Sequence, residues 1–271
     1  MSAPRTRVAV PVTLRSALVL TAASIAGLVM LLWPLIISPA AGETRVDQPF
    51  LFMALMPVVV LVVIAELSEG GLDSKALAML GVLSAINAAV RPLGAGVAGV
   101  ELVFFLLILG GRVFGAGFGF VLGCTSLFAS ALLTSGVGPW LPFQMLCAAW
   151  VGMGAGLLPR RVTGRAEIAM LAGYAIIAAY GFGLLMNLSS WPFTLGIAIP
   201  GAEDSLSMVP GDPVLDNLHR FLVFTLLTSF WGWDLGRAIT NVLLIVTLGP
   251  AVLATLRRAA RRARYLPKEP S

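Results

Sequence analysis

The sequence predicts an all-α integral membrane protein with several transmembrane helices. Of its 271 residues, 58% are hydrophobic and only 11% are charged, and the mean hydropathy is +0.95. Such a composition cannot cover a water-facing surface. The apolar residues form continuous runs rather than the alternation of a transmembrane β-barrel strand. The chain is therefore expected to cross a bilayer as a polytopic helical protein.

About eight runs approach the roughly 20 residues that a spanning helix needs. They lie at 16–37, 50–67, 75–91, 98–114, 116–134, 142–158, 166–190 and 235–257. The first run follows basic residues and ends in small ones, so a cleaved signal peptide is the alternative to a first crossing. Another apolar run, 218–231, is expected to be an interfacial or re-entrant helix, with a ninth crossing as the alternative.

Clusters of arginine set the predicted orientation. The densest clusters are PRRVTGR at 159–165 and RRAARRAR at 257–264, and both belong in the cytoplasm under the positive-inside rule. Eight helices with both termini cytoplasmic place Arg5, Arg7 and Arg112 on the same side. The net charge of +5 therefore reflects orientation, and no nucleic-acid partner is expected.

Polar side chains recur in the outer halves of two predicted helices. Asp234, Arg237 and Asn241 share one face of the last helix, and Asn87 and Arg91 lie one turn apart on the third. Charges at membrane depth are costly without a partner or a wet cavity. These residues indicate either ion pairs that hold helices together or an outward-facing ligand cavity.

The predicted outer loops would close such a cavity. These loops are 91–101, 134–143 and the long segment 191–233. Glu101 ends the first loop, and Glu203, Asp204, Asp212 and Asp216 lie in the last. Aromatic walls are expected from Trp140, Trp191, Trp231 and Trp233.

The turn GPWLP, residues 138–142, precedes the sixth predicted helix. Pro142 helps to fix a rigid reversal, Trp140 offers a flat apolar wall, and Gln144 is placed to hydrogen-bond a ligand. The alternative is a tight turn that anchors Trp140 at the depth of the lipid headgroups.

Small residues recur every four positions on three predicted helices. The stripes are Gly115, Gly119 and Gly123 on the fifth helix, Gly152 and Gly156 on the sixth, and Gly81, Ala85 and Ala89 on the third. Such stripes let helices approach closely in lipid. Each stripe predicts either internal packing or a docking surface for another membrane protein.

The sequence offers little for catalysis. His219 is the single histidine, and Cys124 and Cys147 both lie within apolar runs. No His cluster for a metal, no His-dependent triad and no GxxxxGK[ST] phosphate loop is present. We therefore expect neither an enzyme nor a cofactor, and an energy source for transport would come from a partner protein.

Three stretches carry a resemblance to a known family. They are GAGFGFVLGCTSLFASALLTSGVGPWLPFQMLCAAWVGMGAG at 115–156, WDLGRAITNVLLIVTLGPAVLATLRRA at 233–259 and LGVLSAINAAVRPLG at 80–94. Together they resemble the substrate-binding S components of energy-coupling factor (ECF) vitamin transporters, nearest the vitamin B12 branch.

The resemblance implies a six-helix core at 71–271, preceded by an N-terminal transmembrane hairpin at 1–70. It also implies a bacterial plasma-membrane location, a transmembrane coupling protein (the T component) and two cytoplasmic ATPases. The coupling protein would dock on the stripe Gly81, Ala85 and Ala89. The expected substrate-binding residues are Asn87, Arg91, Trp140, Pro142, Gln144, Asn187, Trp231, Asp234, Arg237 and Asn241.

The cargo that fits this branch is cobalamin or another corrinoid, since uncharged hydrogen-bonding side chains would suit its amides. Another vitamin or a modified nucleobase is the alternative. Two readings without transport are a membrane assembly protein and an intramembrane enzyme. Metal ions are not expected as cargo, because clusters of soft or hard ligands are absent from the sequence.

Overall fold

The computed structural model describes residues 13–36, 48–68, 74–94, 99–193, 206–209 and 211–264. Across these ranges the chain forms helices joined by loops, without a strand, as the sequence predicts. The α-helices are α1 (Leu14–Ile36), α2 (Gln48–Ser68), α3 (Ser74–Val90), α4 (Val103–Phe114), α5 (Ala116–Leu133), α6 (Leu141–Leu157), α7 (Gly164–Ser190), α8 (Val214–Thr225), α9 (Leu235–Thr247) and α10 (Gly249–Arg264).

Helices α4, α5 and α6 form the centre of the bundle. Backbones of α5 and α6 touch, because a side chain at Gly119 would overlap the carbonyl of Gly152, and one at Gly152 would overlap that of Gly119. Gly156 similarly makes room for the backbone of Ala116. The small-residue stripes of these two helices therefore serve internal packing.

A single residue, Gly115, joins α4 to α5. Its φ of 119° lies in a region that L side chains rarely adopt. Helix α4 has only 12 residues and so rises about 18 Å, less than the hydrocarbon thickness of about 30 Å. Eleven of them are buried, from Val103 to Phe114, so α4 lies inside the bundle rather than against lipid.

The third helix packs on α5, where Ser84 and Thr125 are hydrogen-bonded at 2.6 Å. Its other face is open. Gly81, Ala85 and Ala89 are all exposed, and nothing lies within 4 Å of the position that a side chain at Gly81 would take. The stripe on α3 is thus unlike the stripes of α5 and α6, because none of the described helices covers it.

The C-terminal helices differ from the predicted crossing at 235–257. Helix α8, a π-helical segment Leu226–Asp234 and α9 form one continuous helix from Val214 to Thr247. The apolar run 218–231, which was expected to form an interfacial or re-entrant helix, is part of this continuous helix. The helix then bends by 66° into α10, because Pro250 has no N–H to continue the helical hydrogen bonds and its ring crowds the carbonyl four residues earlier.

The N-terminal pair α1 and α2 packs against the remaining helices. Trp150 Nε1 on α6 donates a hydrogen bond to Ser24 Oγ on α1 at 2.9 Å. Gly27 on α1 makes room for the side chain of Leu146. The hairpin is therefore in direct contact with α6.

Four helices in the described ranges are long and apolar enough to cross a membrane: Leu14–Leu32, Lys75–Gly94, Ala116–Leu133 and Gly164–Phe193. A fifth is added if Val214–Thr247 and Gly249–Arg261 count as one span. The other predicted crossings correspond to shorter apolar helices, Ala54–Ala65, Val103–Phe114 and Leu141–Leu157. These lengths and compositions suit a multi-pass membrane protein.

Some predictions concern residues that the structure does not describe. Arg5, Arg7, Glu203 and Asp204 lie outside the described ranges, as does the possible cleavage region after the first run.

Candidate ligand-binding site

Arg237 is the centre of a buried ion cluster at one end of the bundle. Its Nε donates to Glu101 Oε2 at 2.6 Å, and its Nη1 donates to Asp234 Oδ1 at 2.8 Å. Nη1 also donates to the carbonyl of Ala179 at 3.3 Å. These contacts tie α9 to α7 and to the segment just before α4, and the two carboxylates exceed the charge of the single guanidinium by one.

Aromatic rings cover the same guanidinium. The Arg237 Cζ lies 4.9 Å from the ring centre of Phe182 and 5.6 Å from that of Phe104. The two rings meet edge to face with centres 5.0 Å apart. Cations are attracted to ring faces at such distances. Arg237 is therefore held by two carboxylates and two aromatic rings of the protein.

The π-helical segment positions Asp234. Hydrogen bonds in a π-helix join residues five apart. Ser229 lies five residues before Asp234 and donates to its Oδ2 at 2.8 Å. Asn187 Nδ2 on α7 in turn donates to Ser229 Oγ at 2.7 Å. Gly183 leaves room for the carboxylate, since a side chain there would overlap the Asp234 oxygens.

Arg91 has neutral partners instead. Its Nη2 donates to Gln144 Oε1 on α6 at 3.1 Å, and its Nη1 lies 3.5 Å from Ser130 Oγ on α5. Within the described part of the chain no carboxylate forms an ion pair with Arg91. Its positive charge is therefore left without a counter-ion from these residues.

A cavity of about 400 Å³ lies between Arg91 and Arg237. Its polar lining comes from residues at or beside the ends of α3, α5, α6 and α9 and from the segment just before α4: Arg91, Ser130, Thr134, Gln144, Arg237 and Glu101. Its apolar walls include Trp140, Phe182 and Trp233. Pockets for small molecules typically measure about 300–1,000 Å³, so this cavity has the size of a small-ligand site.

Four of the predicted substrate-binding residues line this cavity: Arg91, Trp140, Gln144 and Arg237. Asp234 lies behind Arg237 and orients it. Asn241 Nδ2 donates to the carbonyls of Glu101 and Arg237 at 2.8 and 2.9 Å. Asp234, Arg237, Asn241 and Glu101 form one connected group.

The remaining predicted site residues lie elsewhere. Asn187 contacts Ser229 rather than the cavity. Pro142 is buried in the first turn of α6, and Trp231 is 69% exposed beside Phe230. Trp191, expected as a wall, is fully buried, and its Nε1 donates to the carbonyl of Leu206 at 2.8 Å.

The sequence prediction did not include some of the lining residues. Ser130 and Phe182 give no signal of their own, because a serine and a phenylalanine in apolar helices are unremarkable. Trp233 was expected as an aromatic wall and does line the cavity, whereas Glu101 was placed only at the end of the first outer loop. Their place in the lining depends on how distant helices pack.

Several buried polar atoms near this end have no hydrogen-bond partner in the described structure. They are Nδ2 and Oδ1 of Asn87, Oγ of Ser126, Oγ1 of Thr225 and Oδ1 of Asn241. An unsatisfied buried donor or acceptor costs about 1–3 kcal/mol. The bundle therefore holds polar groups that its own packing does not explain.

A second ion cluster lies at the opposite end of the bundle. Glu167 at the start of α7 accepts from Arg112 Nε and from Arg257 Nη2, both at 2.6 Å. Arg112 also donates to the carbonyls of Leu158 and Val162 at 3.0 and 2.9 Å. Glu167 thus ties the end of α4 to α7 and α10.

Arg160, in the loop between α6 and α7, adds a further cation to this end. It donates to the carbonyls of Arg112 and Gly156 at 3.0 and 3.1 Å. Burial lowers the pKa of its guanidinium, and the neighbouring charge of Arg112 lowers it further. The basic end and the cavity end of the bundle are therefore distinct.

Among the described residues, no group of three or more His, Cys, Asp or Glu side chains is placed to hold a metal ion. The cavity instead offers Arg91, which has no direct carboxylate partner among the described residues, together with neutral hydrogen-bonding groups and aromatic walls. Such a lining suits non-covalent binding of a small organic molecule.

Comparison of the chain with protein families, with curated proteins and with solved structures gave no match.

Proposed function

We propose that this protein is the substrate-binding S component of an ECF-type importer in a bacterial plasma membrane. In this role it captures a vitamin from outside and passes it to a coupling protein driven by two ATPases. The observation that carries the proposal is the cavity bounded by Arg91, Trp140, Gln144 and Arg237 at one end of an apolar bundle.

The distribution of charge supports an outward-facing cavity. Arg112, Arg160 and Arg257 all lie at the opposite end of the bundle. Basic residues flanking membrane helices concentrate on the cytoplasmic side. Eight crossings with both termini cytoplasmic fit this arrangement when α8, the π-helical segment and α9 count as one crossing.

The open face of α3 supports docking of a membrane partner. Gly81, Ala85 and Ala89 lie on it with no covering helix among the described elements. Helices with small residues on one face pack closely in lipid, where van der Waals contact drives association. This face is the proposed contact with the coupling protein.

The volume of the cavity bears on the cargo. A corrinoid is the cargo suggested by the resemblance, but about 400 Å³ is near the lower end of ligand pockets. That size favours the second candidate, a smaller vitamin or a modified nucleobase.

Two measurements on the purified protein test the proposal. Mass spectrometry and absorbance would identify a co-purifying small molecule, and titration with cobalamin and other vitamins would give affinities. We expect a vitamin-class ligand of submicromolar affinity that is weakened when Gln144 or Trp140 is replaced by alanine. A folded sample that binds no vitamin and retains no small molecule would contradict the proposal.

Co-expression provides the second arm. The chain should co-purify with a coupling protein and its ATPases from the same membrane, and uptake of the ligand should require ATP. Ligand binding without such an assembly would favour a binding or assembly protein instead.

A further inference from the structure

Three cavity-lining residues share one feature: a buried polar side chain lies one helical turn further from the cavity. The pairs are Arg91 with Asn87 on α3, Ser130 with Ser126 on α5, and Arg237 with Asn241 on α9. Residues four apart lie on the same helical face. At a rise of 1.5 Å per residue, each inner side chain begins about 6 Å deeper than its partner.

All three inner residues have unsatisfied atoms. Asn87 and Asn241 are completely buried and Ser126 is 1% exposed. Both amide atoms of Asn87, the hydroxyl of Ser126 and the Oδ1 of Asn241 lack a partner in the described structure. Because nearly all buried polar groups in proteins are hydrogen-bonded, a partner from outside the chain is indicated.

Two other polar side chains on α3 and α5 do have hydrogen-bond partners. Ser84 and Thr125 pair directly at 2.6 Å, and Thr125 also donates to the carbonyl of Val121 at 2.8 Å. The packing of α3 on α5 can therefore satisfy polar groups. Of the five unsatisfied buried side-chain atoms in the described part of the chain, four lie in the layer immediately beneath the cavity lining, and the fifth, Oγ1 of Thr225, lies at the end of α8.

We infer that the cavity opens one helical turn deeper around its ligand, and that Asn87, Ser126 and Asn241 bind the neutral hydrogen-bonding part of a small organic anion. The negative group of that ligand pairs with Arg91. This inference rests on the proposed function and specifies its substrate class.

The surroundings of the two arginines indicate that one part of the ligand is negatively charged. Arg237 already has Glu101 and Asp234 as counter-ions, whereas the contacts of Arg91 are neutral. A carboxylate or phosphate in the cavity would give Arg91 a direct ionic partner. The bonds between them would be charge-assisted hydrogen bonds, which are stronger than hydrogen bonds between neutral groups.

The free donors and acceptors of the three inner residues indicate the chemistry of the neutral part of the ligand. Asn87 offers a donor and an acceptor, Asn241 offers an acceptor, and a serine hydroxyl at Ser126 can do either. A ligand group that satisfies them must itself donate and accept, as an amide, a ureide or a nucleobase edge does. Trp140 and Phe182 would contact the apolar part between the two ends.

Matched pairs of probes test this assignment on the full-length protein in detergent. The pairs are biotin with biotinamide, pantothenate with panthenol, and nicotinate with nicotinamide, and cobalamin serves as a large ligand. Isothermal titration gives affinities, and thermal unfolding gives stability with and without each probe. We expect at least one anion to bind about tenfold or more tightly than its neutral counterpart, a preference that Arg91→Gln removes.

Asn87→Leu separates a ligand role from a structural one. We expect the variant to raise the Tm of the ligand-free protein, because it removes two unsatisfied polar atoms, and to weaken the anion by about tenfold or more. Ser126→Ala should weaken binding in the same direction. The control Ser84→Ala, which alters a satisfied pair on the same helices, should leave the affinity within about twofold.

Three outcomes would overturn the inference. One is equal binding of anions and neutral counterparts, another is full affinity in Asn87→Leu, and the third is no binding of any anion. Tight cobalamin binding that is insensitive to Asn87→Leu would overturn it while supporting the importer. An anion that binds as expected, to a protein that forms no complex with a coupling protein, would support it while contradicting the importer.

Discussion

Two arginines in one cavity wall have opposite surroundings, and this difference assigns their roles. Arg237 is 8% exposed and contacts two carboxylates and two aromatic rings. Arg91 is only partly buried, and its contacts are a glutamine and a serine. Arg237 therefore holds helices together, whereas Arg91 is available to a ligand.

We expect Arg237→Gln to lower the free energy of unfolding by about 3–5 kcal/mol, because it leaves the carboxylates of Glu101 and Asp234 without their cation. Arg91→Gln should cost less than about 1.5 kcal/mol, since it removes only bonds to neutral groups. Equilibrium unfolding in mixed micelles, followed by tryptophan fluorescence, measures both. Equal losses in the two variants would contradict this assignment.

The space beside Asp234 depends on a missing side chain. We expect Gly183→Ala to cost about 1–3 kcal/mol, because its methyl group would displace the Asp234 carboxylate from Arg237. Gly181→Ala on the same helix is the control, since nothing lies within 4 Å of its new methyl group. The free energy of unfolding of that control should be unchanged or rise by up to about 1 kcal/mol, because alanine has a higher helix propensity than glycine. Thermal unfolding of both variants checks the expectation, and a stable Gly183→Ala protein would refute it.

At the scale of elements, similar stripes of small residues have two different environments. Gly119 on α5 and Gly152 on α6 touch backbone to backbone. Ala85 on α3 has an exposed position. The small residues have the same spacing in both cases. Only the packing of the helices distinguishes a stripe that contacts another helix from a stripe that is exposed.

We expect Gly119→Ala to destabilise the fold by about 1–3 kcal/mol or more, because no flexible side chain can move aside. Ala85→Leu should leave unfolding unchanged and, under the proposed function, abolish co-purification with the proposed coupling protein, because a large side chain prevents close approach of helices. Detergent-solubilised complexes, compared by size-exclusion chromatography, test the second part. Retention of the complex in Ala85→Leu would remove α3 as the docking face.

Glu167 joins three elements at the basic end. We expect Glu167→Gln to cost about 3–5 kcal/mol, because Arg112 stays buried without a carboxylate. The control Arg220→Gln removes the more exposed pair with Asp212 and should cost about 0–1 kcal/mol. Chemical unfolding of both variants gives the comparison. Equal costs would show that burial does not set the value of the Glu167 cluster.

At the scale of the whole molecule, the two ends of the bundle differ in chemistry and, by the proposal, in location. One end holds the cavity and the loop between α5 and α6, and the other holds the arginines around Glu167. Orientation in the membrane is therefore testable with one probe at each end.

We expect Val137→Cys to react with a membrane-impermeant maleimide added to intact cells, because Val137 is exposed in the loop beside the cavity. Arg161→Cys, exposed at the basic end, should react only after permeabilisation. The native Cys124 and Cys147 are buried, so the background should be low. Labelling of Arg161→Cys in intact cells would reverse the proposed orientation.

Much of the helical pattern could be predicted from local sequence. The predicted crossing at 116–134 matches α5, and that at 142–158 matches α6, because glycine and proline mark both boundaries. The crossing at 235–257 differs, since its apolar run continues through the bend at Gly249 and Pro250. The π-helical segment was also missed, because its five-residue turn does not follow the 3.6-residue period.

The candidate site was predictable only as a set of residue types. Asp234, Arg237 and Asn241 were placed together correctly by helical spacing. The contact of Arg91 with Gln144 joins α3 to α6 across 53 residues of chain, and local spacing contains no signal for it. The unsatisfied atoms of Asn87 and Ser126 become visible only when every neighbouring side chain is placed.

The backbone contact between α5 and α6 limits how this protein can be redesigned. Because no side chain separates Gly119 from Gly152, the distance between these helices cannot be tuned by ordinary substitutions. The loop that joins them carries Thr134 and Trp140 into the cavity lining and makes no such contact. Under the proposed function, exchange of that loop is therefore the practical way to change ligand specificity while leaving the packing of α5 on α6 unchanged.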